Sequence, residues 1–108
     1  MGGGGGQNMN SVIKQAQKMQ DEITKLQEDI EARDFPISVG GGAVEIVLTG
    51  KKTVKSLVLK PEIVDPEDID MLQDLIVSAF NEGASKIDEV TDSEMAKVTG
   101  GVSIPGIL

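Results

Sequence analysis

Cysteine, histidine, tyrosine and tryptophan are all absent from this chain of 108 residues, and Phe35 and Phe80 are its two aromatic side chains. Without cysteine there is neither a disulfide framework nor a thiolate metal site. The loss of histidine and cysteine together removes the commonest general acid–base group and the strongest side-chain nucleophile. Carboxylates, lysines, serines and threonines remain, and only a carboxylate or a lysine is left to activate a hydroxyl. No enzyme activity is therefore expected, and no cofactor, metal or small-molecule substrate. Two phenylalanines also argue against base stacking on aromatic platforms. No basic segment followed by an apolar run marks a signal peptide, and no apolar run nears the length that spans a bilayer. A soluble cytoplasmic protein without a membrane partner is expected.

Basic charge is scarce too: ten lysines and arginines face eighteen acids, for a net charge of −8. The total argues against a general attraction to polyanions, but its distribution is uneven. Residues 1–34 sum to −2 and residues 61–108 to −9, whereas residues 35–60 reach +3 through Lys51, Lys52, Lys55 and Lys60. Local fields decide what such a surface touches.

What is present is strong periodicity. After the Gly2–Gly6 run, which is expected to be part of a flexible tail over residues 1–8, apolar residues recur at Met9, Val12, Ala16, Met19, Ile23, Leu26 and Ile30. The alternating steps of three and four make an a/d heptad seam and predict a helix over Met9–Glu31, capped by Asn8 or Asn10. Lys14, Lys18 and Lys25 fall on the outward side. They read either as a solvated face or as a phosphate-contacting ridge.

Beyond Asp34 the period drops to two. Phe35, Ile37 and Val39 predict one strand, with Pro36 suited to an edge or entry position, and Val44–Thr49 predicts a second. Thr53–Leu59 predicts a third. Gly40–Gly42 lacks the following helix and Lys-Ser/Thr ending of a phosphate-binding loop, and reads as a hairpin connection. Gly50-Lys51-Lys52 is the next turn. In the third strand, alternation puts Leu57 and Leu59 on one side and Val54 and Val58 on the other, near Val47. Helices can cover one face of such a sheet, so a second subunit is expected over Val47, Val54 and Val58.

Asp65-Pro66-Glu67-Asp68 predicts a helix start, with Asp65 as the cap and Pro66 at the first helical position. The acids there match the positive end of a helix dipole, and an EF-hand would require different spacing and a mid-loop glycine. Ile69, Leu72, Leu75, Ile76, Ala79, Phe80, Gly83, Ala84, Ile87 and Val90 then form a core-facing stripe. Gly83 lets a packing partner approach closely. A break is expected around Thr91–Ser93, a stop at Gly100-Gly101, and an irregular tail over residues 100–108.

The expected architecture is therefore α+β. One domain over residues 9–99 is ordered α-β-β-β-α, with two layers, a three-stranded antiparallel sheet and long helices in a dimer. Several segments in that order resemble the YbaB/EbfC family over nearly the whole chain. They are Lys14–Gln20, the glycine connection into Val44–Thr49, the strand ending Leu57–Lys60, and the Ile63–Asp68 turn. Leu75–Gly83 and Ile104-Pro105-Gly106 complete the set. The resemblance implies a tight homodimer, a location in the bacterial cytoplasm at the nucleoid, and DNA held between projecting helices in a tweezer-like arrangement. Charge placement in this chain then nominates Lys14, Lys18, Lys25, Lys51, Lys52 and Lys55 for DNA binding. Their contacts would be largely independent of sequence, with DNA conformation open to alteration on binding. The alternative is a protein-interaction adaptor in DNA repair or replication, docking a partner on the heptad face or the acidic helix.

Overall fold

The computed structural model describes residues 3–100. It shows α1 (Gly3–Ala32), β1 (Asp34–Val39), β2 (Val44–Thr49), β3 (Val54–Leu59), a short 3-10 turn (Pro61–Ile63) and α2 (Ile69–Thr99). This is the expected α-β-β-β-α order around an open antiparallel sheet, with strands in the order β1-β2-β3. Most of the expected C-terminal tail lies outside the described residues.

α1 starts six residues before the heptad seam does, so Asn8 and Asn10 sit inside it and not at its start. The stretch Gly3–Asn8, expected as tail, continues the backbone ladder. Glycine lowers helix stability by about 1 kcal/mol relative to alanine, but unlike proline it keeps its N–H donor.

β1 and β2 pair in register from Asp34–Thr49 to Val39–Val44. Three consecutive positive-φ glycines, Gly40–Gly42, close that hairpin. β2 pairs with β3 from Val44–Leu59 through Val47–Ser56, and then skips: Leu48 faces Val54, leaving Lys55 as a bulged extra residue. The bulge corrects the face assignment made from simple alternation. It turns Val54 to the helix side of the sheet, where Val54 lines a groove with Ile46 and Leu57, while Val58 keeps company with Glu45 on the open side. One inserted residue reverses the facing of everything beyond it.

α2 packs on β1 and β2, and α1 packs on α2. Phe35, Val44, Ile46 and Leu48 from the sheet meet Ala79 and Ile87 from α2 and Ile30 from α1 in a single apolar cluster. Gly83 makes this possible. A β-carbon there would stand 2.5 Å from Leu48 Cδ1 and 3.2 Å from Ile37 Cγ1, so the expected close approach is the one found. Gly50 does the same for the β2–β3 turn, since a β-carbon would run into the Ile30 carbonyl oxygen, which is backbone and cannot move aside.

α2 begins later than expected. Asp65 accepts a hydrogen bond from the Glu67 N–H, and Asp68 N–H donates to the Asp65 carbonyl, so Asp65–Asp68 closes a turn before the helix. Asp68 is the cap, accepting from Met71 N–H at 3.4 Å. The helix then runs unbroken through Thr91–Ser93, where a break was expected, and stops at Gly100 in a left-handed conformation. The radius of gyration is 21.2 Å and the long dimension 82 Å. A compact chain of this length would have a radius of gyration near 13 Å. Among the described residues no helix is long and apolar enough to cross a membrane.

Candidate nucleic-acid interface

Two long helices, of 30 and 31 residues and about 45 Å each, elongate the molecule, and α1 is unevenly packed. Its C-terminal half carries the buried Ile23 and Ile30, but from Met9 to Lys18 every side chain is exposed. Residues 9–20 form a bare arm holding Lys14 and Lys18 and no acid. At about 100° per residue, Lys14, Lys18 and Lys25 lie within about 40° of one another, opposite the apolar seam. Lys25 has Asp21, Glu22, Glu28 and Asp29 three or four residues to either side, Lys18 has Asp21 and Glu22 on one side, and Lys14 has no acid within six residues, so the local offset grows from Lys14 to Lys25.

The other three lysines surround the β2–β3 turn, which Gly50 holds against the last turn of α1. Lys51 is exposed, its backbone N–H donating to Thr49 Oγ1. Lys52 adopts φ 63° and sends its ammonium to Asp88 on α2 at 2.7 Å. Lys55, the bulge residue, reaches across the sheet to both carboxylate oxygens of Asp34 at 3.1 and 2.9 Å. The six lysines thus make two groups instead of one patch. Ile30, which marks the turn, lies about 18 Å along the helix from Lys18, roughly two screening lengths at physiological salt.

Arg33 was not singled out from the sequence. It donates to Glu94 through both guanidinium nitrogens, at 2.6 and 2.8 Å, and to Asp29 at 2.8 Å, fastening the end of α1 to the far part of α2. Hydrogen bonds from Arg33 hold the Glu94 carboxyl below the usual carboxylate range, against the opposing pull of burial. The same bonds, to Glu94 and then Asp29, raise the guanidinium further above neutrality. Two signals were available: Arg33 is the sole arginine, and it stands four residues after Asp29.

The residues expected at a subunit interface divide between faces. Val47 and Val58 lie on the open face of the sheet, whereas Val54 lines a groove of about 380 Å³ with Leu57, Ile76, Val77 and Phe80 beside α2. β3 is an edge strand with exposed apolar side chains on both sides.

A profile of the YbaB/EbfC DNA-binding family matches residues 4–102. The chain belongs to the YbaB/EbfC DNA-binding family. It is 56% identical to a nucleoid-associated protein of Ruminiclostridium cellulolyticum, over 98% of this chain and 93% of that one. A nucleoid-associated protein of Clostridium acetobutylicum is 52% identical, over 97% and 94%. Among solved structures, an uncharacterized Helicobacter pylori protein superposes with a TM-score of 0.68, covering 85% of this chain and 94% of that one at 21% identity; that likeness concerns the fold. YbaB/EbfC is a DNA-binding family and not an enzyme family, in line with the side-chain inventory of this member.

Proposed function

We propose that this protein is a nucleoid-associated protein that binds DNA as a homodimer through lysine–phosphate contacts largely independent of base sequence. The observation that carries the reading is the bare half of α1. Lys14 and Lys18 stand on an exposed, acid-free helical arm that projects away from the acidic body. Around Lys14 the local field is positive although the chain is not, because Asp21, the next acid along the helix, lies about 10 Å away, beyond a screening length of about 8 Å, whereas Asp21 and Glu22 offset Lys18 in part. Lys25 and Lys51 extend the contact, and Lys52 and Lys55 join it when they exchange their carboxylate partners for phosphate. Lysine contacts to phosphate position a protein without reading bases.

The homodimer reading rests on β3. A second copy that clasps this edge strand covers Val54 and Leu57 on one face and Val47 and Val58 on the other, and doubles the lysines offered to DNA. Cytoplasmic location at the nucleoid follows from the same reading. An adaptor role has one observation in its favour, the exposed apolar residues Met9, Val12 and Ile13 on the arm.

Fluorescence anisotropy on two unrelated duplexes, titrated at several salt concentrations, tests the DNA reading. Similar affinities that fall steeply with salt support it. Absence of binding at low salt contradicts it and favours the adaptor.

A further inference from the structure

We propose that Asp34 and Asp88 are built-in competitors for the DNA-facing lysines, setting the affinity and salt response of the protein by holding Lys55 and Lys52 off phosphate. The proposal rests on the DNA reading above and adds an internal brake to it.

Among the described residues, four ion pairs are formed. Arg33 makes two of them and ties helix to helix; the other two engage lysines of the proposed DNA surface. Asp88 meets Lys52 at 2.7 Å and Asp34 meets Lys55 at 2.9 Å, with all four side chains substantially exposed. Neither pair is needed to close the core, whose members are apolar residues elsewhere. The lysines stand beside their acids at two backbone irregularities: a left-handed Lys52 in the β2–β3 turn, and a bulge whose extra residue is Lys55.

Exposed pairs of this kind are weak and exchange readily. A phosphate can therefore displace each carboxylate, but at a double cost. The lysine gives up its partner, and the released carboxylate is left beside the polyanion. Both costs vanish when the carboxylate becomes an amide. The salt response shifts with it, because a lysine already neutralised by an acid contributes less net counterion release than one that meets DNA unpaired.

The test is anisotropy on one duplex across a salt series, using the full chain and the variants Asp34→Asn, Asp88→Asn and Glu89→Gln. Glu89 is the exposed neighbour of Asp88 on α2 and carries the same charge, yet makes no ion pair among the described residues. Asp34→Asn and Asp88→Asn should each tighten binding by roughly two- to tenfold. Each should also steepen the slope of log K against log salt by up to about 0.9 for each lysine freed. Glu89→Gln should do neither. The gain from Asp34→Asn should disappear in a Lys55→Gln background, a coupling that a uniform change in net charge cannot produce. Equal gains from all three variants, or a gain that survives Lys55→Gln, would overturn the brake. So would wild-type binding that neither amide alters, which leaves DNA binding itself standing. No wild-type binding at low salt would remove both proposals together.

Discussion

Along α1 the apolar seam keeps one spacing from Met9 to Ile30, yet its two halves meet different surroundings. Ile23 and Ile30 are 2% and 3% exposed, whereas Met9 and Val12 are 64% and 61% exposed. The chemistry of the seam is the same in both halves; what changes is whether α2 and the sheet lie against it. The halves also differ in charge. The packed half carries Asp21, Glu22, Glu28, Asp29 and Glu31 against Lys25, and the bare half carries Lys14 and Lys18 with no acid. One half of the helix builds the fold, and the other is left free to act on something outside it.

The largest test of that division is a pair of truncations. Ile30→Ala should cost about 2–5 kcal/mol in urea unfolding, the range for a buried aliphatic side chain. Val12→Ala should cost less than about 0.5 kcal/mol, as exposed sites do. Comparable losses would mean that the arm is packed against something in solution.

A second test moves from the helix to the sheet edge. Val58→Lys should weaken self-association by about 2 kcal/mol or more if that face is covered by a partner subunit. Sedimentation equilibrium reads this directly, and an undiminished dimer would place the interface elsewhere. Leu57→Lys probes the opposite face of β3 in the same way, so the two variants together distinguish a clasped edge from a one-sided contact.

The Arg33 clamp at the junction of the halves should give a smaller effect. Glu94→Gln should lower stability by about 1 kcal/mol, since a half-buried, charge-assisted pair lies between the surface and buried cases. The folded state depresses the Glu94 pKa, so the pair stabilises fully above the unfolded carboxylate value, near 4.3, and its contribution is lost as pH falls through the lower folded value. The gap in melting temperature between wild type and Glu94→Gln should therefore be open at pH 7 and close under strong acid. A gap independent of pH would assign the loss to packing.

Much of the fold was legible because it depends on local rules. Strand limits followed from alternation and glycine turns, and the core stripe of α2 followed from helical spacing. Features set by tertiary context were not legible. The bulge at Lys55 moves Val54 to the other face, and nothing in an alternating pattern marks where a ladder skips. The start of α2 moved because Asp65 could cap either a turn or a helix, and the turn won. At the candidate site, the lysines were found by charge alone. Their division into a free pair on the arm and a partly neutralised group at the turn required knowing which acids fold back upon them.

DNA binding is proposed to turn on the arm, and the Lys14→Gln/Lys18→Gln double variant tests this most directly. Its stability should match wild type within about 0.5 kcal/mol, because both side chains are exposed. Its affinity for any duplex should fall. With two lysines removed per subunit, and four per dimer, the slope of log K against log salt should flatten by up to about 3.6. An unchanged slope in a stable double variant would show that the bare half of α1 does not touch phosphate.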